Sequence, residues 1–428
     1  MKPEKRYERD SRMAYWVIAV GIFAYFLAVA QRTSFGVASL EAADRFQATA
    51  SQLSLFTMLQ VFVYAGLQIP VGVLADRFGS RAMVGAGAIL MGSGQLVLAL
   101  ADSLGWGVAG RVLVGAGDAA TFICVLRIIP AWFSVSKAPM ATFLVGTVGN
   151  FGQMLSVIPF SALLGWAGWT PAFLSLGALS VLAAVLVLAF MRDSPDPLSA
   201  EEVRPLALRR TWDTVVACVR APATALAFWV HFTVQFIGTV FALMWGYPYL
   251  QNAQGMSAGQ ASFVMTLFVL TNLVLGMSIG QMVSRFQHRR LRIALIVVGI
   301  GVVAWAALIL WPGTAPFVVV MAAVVAIAMS LPASMLAFNI VQSFTQRSYI
   351  GTVTGITNVG GFVASLCAIF LIGITLDLQV TLGWVDDAYD PEGFRVAMAM
   401  QLLVTVTGTV GMLVSARRVR ASFGADAV

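Results

Sequence analysis

Four ionisable side chains stand inside runs that are otherwise apolar: Arg32 in "AVAQRTSFGV", and Arg111, Asp118 and Arg127 in "GRVLVGAGDAATFICVLRIIP", Gly110 to Pro130. An ionised group in hydrocarbon costs on the order of 3 kcal/mol, so such residues normally face a hydrated interior and mark a pathway. Arg111 and Asp118 are seven residues apart, and two helical turns place them on one face, about 10 Å apart along the axis. Arg127 lies nine residues beyond Asp118, about half a turn out of phase. A guanidinium can hold a carboxylate through two parallel hydrogen bonds. Burial favours the protonated form of Asp118 and a neighbouring arginine favours the ionised form, so a carboxylate bound at Arg111 or Arg32 would tip the acid toward taking a proton. That chemistry is cooperative binding of an anion and a proton. A static Arg111 to Asp118 pair that fastens one helix to its neighbour uses the same residues and stays open. Arg127 reads as a snorkelling or latch arginine, with a second anion contact as its alternative.

The elements that must position these residues are membrane spans. The 428 residues are 59% hydrophobic and 11% charged, and the mean hydropathy of +0.87 lies in the membrane class. A spanning helix needs about 20 apolar residues. Suitable runs occur near 13–38, 49–75, 82–101, 107–131, 139–165, 170–191, 222–249, 259–283, 291–311, 316–343, 351–376 and 393–416. They are continuously apolar rather than alternating, which selects helices over barrel strands. The net charge of +7 then reports orientation, not nucleic acid. With the amino terminus inside, 21 of the 26 Lys and Arg fall on the inner side, whereas only Arg45 and Arg395 lie in outer loops. Arg32 and Arg111 come out at similar depth, toward the outer half of the membrane. The three cysteines, Cys124, Cys218 and Cys367, have neither disulfide nor metal-ligand spacing.

One long polar segment, Arg192 to Pro222, is rich in Pro and mixed charge and suits a linker with a short surface helix. It divides the chain into six-helix halves at 1–191 and 222–428, with the linker at 192–221. The halves repeat at an offset of 208 residues: "GVLADRFGSR" (Gly72 to Arg81) aligns with "GQMVSRFQHR" (Gly280 to Arg289). Asn150 and Gly152 likewise match Asn358 and Gly360. Repeated bundles are a transporter architecture.

The stretch G-x-x-x-D-R-x-G-x-R, Gly72 to Arg81, with twelve spans and a degenerate second copy, resembles the major facilitator superfamily. That resemblance implies an all-α membrane protein of twelve helices in two pseudo-symmetric six-helix bundles, working by alternating access. It makes the repeated stretch a cytoplasmic gate: Gly72, Asp76, Arg77, Gly79 and Arg81 in the first half, Gly280, Arg285 and Arg289 in the second, where Ser284 replaces the acid. Asp76 can cap a helix end and pair with arginines. Positive-inside anchoring is the plainer reading of Arg77 and Arg81.

An arginine on the first span together with R-x-x-x-G-x-x-acid on the fourth is similar to the anion:cation symporter branch of that superfamily. This implies substrate contact by Arg32 and protonation of Asp118. Gln31 stands where that branch commonly has Asp, and Asp118 where it has Glu. Further candidate substrate contacts are Arg111, Gln31, Gln235, Tyr247, Asn339 and Asn358, although the two asparagines serve equally well as ties between helices. His231, alone among aromatics in "AFWVHFTVQF", is expected to be packed and hydrogen-bonded. No nucleotide loop, metal cluster or nucleophile arrangement suggests an enzyme. The expectation is a monomeric, cofactor-free importer of a small organic anion with protons in a bacterial cytoplasmic membrane, both termini inside. The alternative is a proton-coupled exporter of amphipathic compounds, against which "LVGTVGNFGQM" in the fifth span lacks the Gly-Pro of many exporters.

Overall fold

A computed structural model describes residues 8–47, 50–196, 208–386 and 390–424. Twelve helices are long and apolar enough to cross a membrane: α1 (Arg12–Val37), α2 (Leu59–Phe78), α3 (Ser80–Leu100), α4 (Leu104–Trp132), α5 (Ala138–Ala167), α6 (Trp169–Phe190), α7 (Pro222–Ala253), α8 (Gly259–Arg285), α9 (Gln287–Ile309), α10 (Phe317–Phe344), α11 (Arg347–Thr381) and α12 (Pro391–Phe423). No strand occurs among the described residues. Spans of this kind satisfy every backbone group internally, which hydrocarbon demands. Large apolar side chains are exposed along the spans, and Trp16, Trp106, Trp166 and Trp384 are exposed near span ends, where amphipathic rings suit the headgroup level.

By contacts the chain divides into two units: Met1–Val219 with Thr345–Ile356, and Arg220–Phe344 with Thr357–Val428. The sequence reading put all of 222–428 together. The first turns of α11 instead group with unit 1, because Gly351 and Gly355 pack their backbones against Gly72 and Gln68 of α2.

Within unit 1, α3 and α4 meet through paired glycines. A Cβ on Gly87 would lie 2.6 Å from the Gly117 carbonyl oxygen, and one on Gly94 2.7 Å from that of Gly110. The missing side chains let the two backbones touch. Gly110 and Gly117 face α3, so Arg111 and Asp118, each one residue later, point about 100° around the helix. That direction meets α1. On the other side of α1, Gly149 and Gly152 of α5 press against Tyr25 and the backbone of Phe26 and Ala30. Glycine spacing thus fixes α1 between α4 and α5.

Unit 2 has an aromatic core of Phe236, Phe241, Trp245, Tyr249, Trp305 and Phe394, all buried. Its span α7 carries two wide π turns, Phe241–Trp245 and Tyr249–Ala253, on either side of Gly246–Pro248. Pro248 has no N–H to donate and its ring crowds the preceding turn, which is a local reason for the widened helix.

Candidate functional site

The centre of unit 1 is an ion pair. Arg32 of α1 donates from Nε to Asp118 Oδ2 at 2.7 Å and from Nη2 to Oδ1 at 2.9 Å, a two-pronged contact. The carboxylate is 0% exposed and the guanidinium side chain 25% exposed, so the arginine covers the acid. Tyr64 of α2 sits under the guanidinium, 4.6 Å from ring centroid to Cζ, a geometry favourable to a cation. Tyr25 lies seven residues before Arg32 on α1, and its ring packs 4.9 Å from Phe122. Thr33 shares a 2.7 Å hydrogen bond with Ser156 in the π turn of α5.

Arg111 does not pair with Asp118. It is 1% exposed and donates to the backbone carbonyl oxygens of Gln31 at 3.3 Å and Arg32 at 2.9 Å. A further Nη2 contact goes to Gln60 Oε1. Seven residues along a helix is too far for a direct pair with Asp118, and Arg32 fills the gap. Neighbouring helical residues point about 100° apart, and Gln31 turns inward, accepting from Ser180 at 2.9 Å and Gln95 at 3.3 Å. It is buried away from the exposed edge of Arg32.

Toward the other end of the same unit, Asp76 organises a second cluster. Its Oδ1 accepts from Arg127 Nε at 2.8 Å and from the Gly351 N–H at 2.9 Å. Its Oδ2 accepts from Thr352 N at 2.7 Å and Thr352 Oγ1 at 2.8 Å. The carboxylate therefore caps the first turn of α11, where free N–H groups favour negative charge. Arg127 also reaches Asp193 at 3.6 Å. Asp193 in turn accepts from the Ser80 and Arg81 N–H groups, and Arg81 donates to the Leu188 carbonyl. Gly79 at φ +83 makes the turn between α2 and α3, and Asp193 occupies the space its Cβ would take. Arg77 is exposed over Phe78. The second copy is looser. Arg285 and Arg289 are exposed over Phe286, and Ser284 donates only to its own helix at Gly280.

In unit 2, His231 is buried. Its Nδ1 lies 3.3 Å from the Ser334 carbonyl oxygen and its Nε2 3.2 Å from Asn358 Oδ1, with the Phe338 ring at 4.7 Å. Gln235 packs against Gly361 next to the His231 ring. Asn339 is buried and donates to its own helix at Met335, 3.2 Å, while Tyr247 is half-buried against the aromatic core.

Sequence reasoning missed Gln60, Tyr64, Tyr25, Asp193 and Thr352. The signal for two of them was a stripe on α2, Gln60, Tyr64, Gln68, Gly72 and Asp76, spaced by four. At about 40° of drift per step such a stripe winds round the helix, touching α4 and α1 first and α11 last.

The sequence profile described as the Major Facilitator Superfamily matches residues 21–369. A probable sulfoacetate transporter of Cupriavidus necator is 25% identical over 64% of this chain and 66% of its own length. A probable galactarate/D-glucarate transporter of Escherichia coli is 24% identical over 84% of this chain and 87% of its own. Among solved structures, that of the transporter FucP in the outward conformation superposes with a TM-score of 0.68 at 16% identity, covering 93% of this chain and 99% of that one. With twelve apolar helices and a profile match over most of its length, the chain is an integral membrane transporter that belongs to the Major Facilitator Superfamily.

Proposed function

We propose that this transporter imports a small organic anion together with protons by alternating access, and that the Arg32 to Asp118 pair is where the two are coupled. The observation that carries the reading is the asymmetry of that pair: the arginine is partly exposed and the acid wholly covered by it. An incoming carboxylate and the Asp118 carboxylate compete for one guanidinium. If the substrate takes Arg32, Asp118 is left buried without its counterion, and a lone buried charge is strongly unfavourable. Protonation neutralises it. Conversely, a proton arriving first on Asp118 frees Arg32 for the anion. Linkage makes these two statements one coupling free energy.

Arg111, in this reading, holds no substrate. Its bonds to the Gln31 and Arg32 carbonyls fix the backbone from which Arg32 projects. Asp76, Arg127 and the first turn of α11 act as the gate, which must open for the cycle to turn. Gln235, Asn358, Asn339 and Tyr247 are left to supply neutral hydrogen bonds to hydroxyls of the cargo. Relatives named for sulfoacetate and for galactarate and D-glucarate support a carboxylate or related organic acid as substrate class. The excess of Lys and Arg on one side supports cytoplasmic termini in a bacterial inner membrane, and the protein is taken to work as a monomer.

The test is Asp118→Asn in proteoliposomes. The variant is expected to lose accumulation driven by a pH gradient while retaining counterflow exchange of the same organic acid. Accumulation equal to wild type would remove Asp118 from coupling.

A further inference from the structure

Ahead of α7 lies a helix that no span accounts for, Leu208–Arg220, "LRRTWDTVVACVR". Its residues sort by direction. Trp212 and Val219, seven apart, fall within about 20° of each other around the axis. Cys218 faces another way and is buried; burial, and then the Asp76 carboxylate, push its thiol up to about 11. That side therefore rests on unit 1. Trp212 is 72% exposed and Val219 50% exposed, so an apolar edge of the helix is left uncovered among the described residues. Asp213, Ala217 and Arg220 are exposed on the adjoining arc.

The helix ends at Arg220 and α7 begins at Pro222, so its last turn is tied to the membrane span through Ala221 alone. A short helix with Trp and Val on one edge and arginines in its sequence matches the requirements of an interfacial helix. Arginines at that level attract anionic headgroups. We propose that Leu208–Arg220 lies in the inner headgroup layer, with Trp212 and Val219 at the acyl boundary, and that the positive charge the helix carries in its sequence, Arg209, Arg210 and Arg220, draws anionic phospholipid to it. The helix Leu208–Arg220 is then a lipid-reading element, independent of the cargo assignment.

The experiment places single nitroxide labels on the full chain reconstituted in vesicles. Cys124, Cys218 and Cys367 are replaced by alanine, and Trp212→Cys, Val219→Cys, Asp213→Cys and Ala217→Cys are made one at a time. Expected is preferential collision of labels 212 and 219 with oxygen, and of 213 and 217 with a polar nickel chelate. The contrast should shrink when vesicles of phosphatidylglycerol with phosphatidylcholine are exchanged for phosphatidylcholine alone. Chelate access equal at all four positions would overturn the proposal, as would shielding of 212 and 219 from both collision partners, the mark of a protein occupant. A contrast that ignores lipid charge would overturn the anionic assignment. Thermal unfolding of the cysteine-intact chain in detergent gives an independent reading. Phosphatidylglycerol should raise Tm over phosphatidylcholine in the wild type and not in Arg209→Gln/Arg210→Gln/Arg220→Gln; an equal rise in both contradicts it.

Discussion

The two units bury polarity in different ways. Unit 1 encloses a full ion pair, Arg32 on Asp118 at 2.7 Å, with a second guanidinium, Arg111, spent on backbone carbonyls nearby. In unit 2, His231 lies between Ser334 and Asn358 and the buried Arg290 donates to Ser343 and Gln287, neither in a carboxylate ion pair among the described residues. The two copies of the gate stretch differ in the same sense. Asp76 gathers four donors, whereas Ser284 satisfies only its own helix. Charge in a low-dielectric interior acts at longer range than a neutral hydrogen bond and changes abruptly when a partner leaves. Under the proposed coupling, unit 1 would hold the parts switched by a proton or an anion, and unit 2 neutral hydrogen-bonding groups for the cargo.

The largest effect should come from breaking that pair on one side. Arg32→Ala leaves Asp118 buried alone and is expected to cost about 3–5 kcal/mol, read as a lower Tm, with partial recovery in Arg32→Ala/Asp118→Asn. The matching change in unit 2, His231→Ala, strands one carbonyl and one amide and should cost about 1–3 kcal/mol. Equal losses would erase the distinction between the units.

Next is the packing that aims the pair. Gly117→Ala puts a methyl 2.8 Å from the Met91 backbone nitrogen, and overpacking of this kind costs about 1–3 kcal/mol. Gly299→Ala in unit 2 meets nothing within 4 Å and should shift Tm little, within about 0.5 kcal/mol. The gate copies come third. Asp76→Asn replaces an acceptor oxygen by a donor facing Arg127 or Thr352, worth about 1–2 kcal/mol, and should also speed reaction of a thiol probe with an introduced Thr352→Cys. Ser284→Asp, on an end of α8 whose neighbour Arg285 is exposed, should move Tm by less than about 0.5 kcal/mol.

Hydropathy alone located the spans: the run at 82–101 is Ser80–Leu100 and that at 107–131 is Leu104–Trp132. The run at 222–249 continues to Ala253 because α7 widens around Pro248 instead of stopping at it. The family was legible in Gly72 to Arg81, where glycines and charges have fixed jobs at fixed spacing. Partner choice was not. Periodicity put Arg111 and Asp118 on one face of α4, but which side chain of α1 reaches that face depends on how closely α1 approaches. That is set by Gly149 and Gly152 on α5 and by Gly115 against Gln60 on α2. The role of Asp193 was hidden for a similar reason. A residue in a polar linker gives no periodic signal, and only the folded chain brings it to the Ser80 and Arg81 N–H groups.

In the proposed cycle a proton on Asp118 and an anion at Arg32 bind as a couple. The most direct test of this coupling is the proton count on binding: an organic acid that raises Tm of the purified carrier is titrated into weakly buffered protein just above neutral pH while proton uptake is recorded. Uptake of about one proton per anion by the wild type and none by Asp118→Asn is the outcome that competition for a single arginine requires. Binding without uptake in the wild type, or uptake that persists in Asp118→Asn, would contradict it.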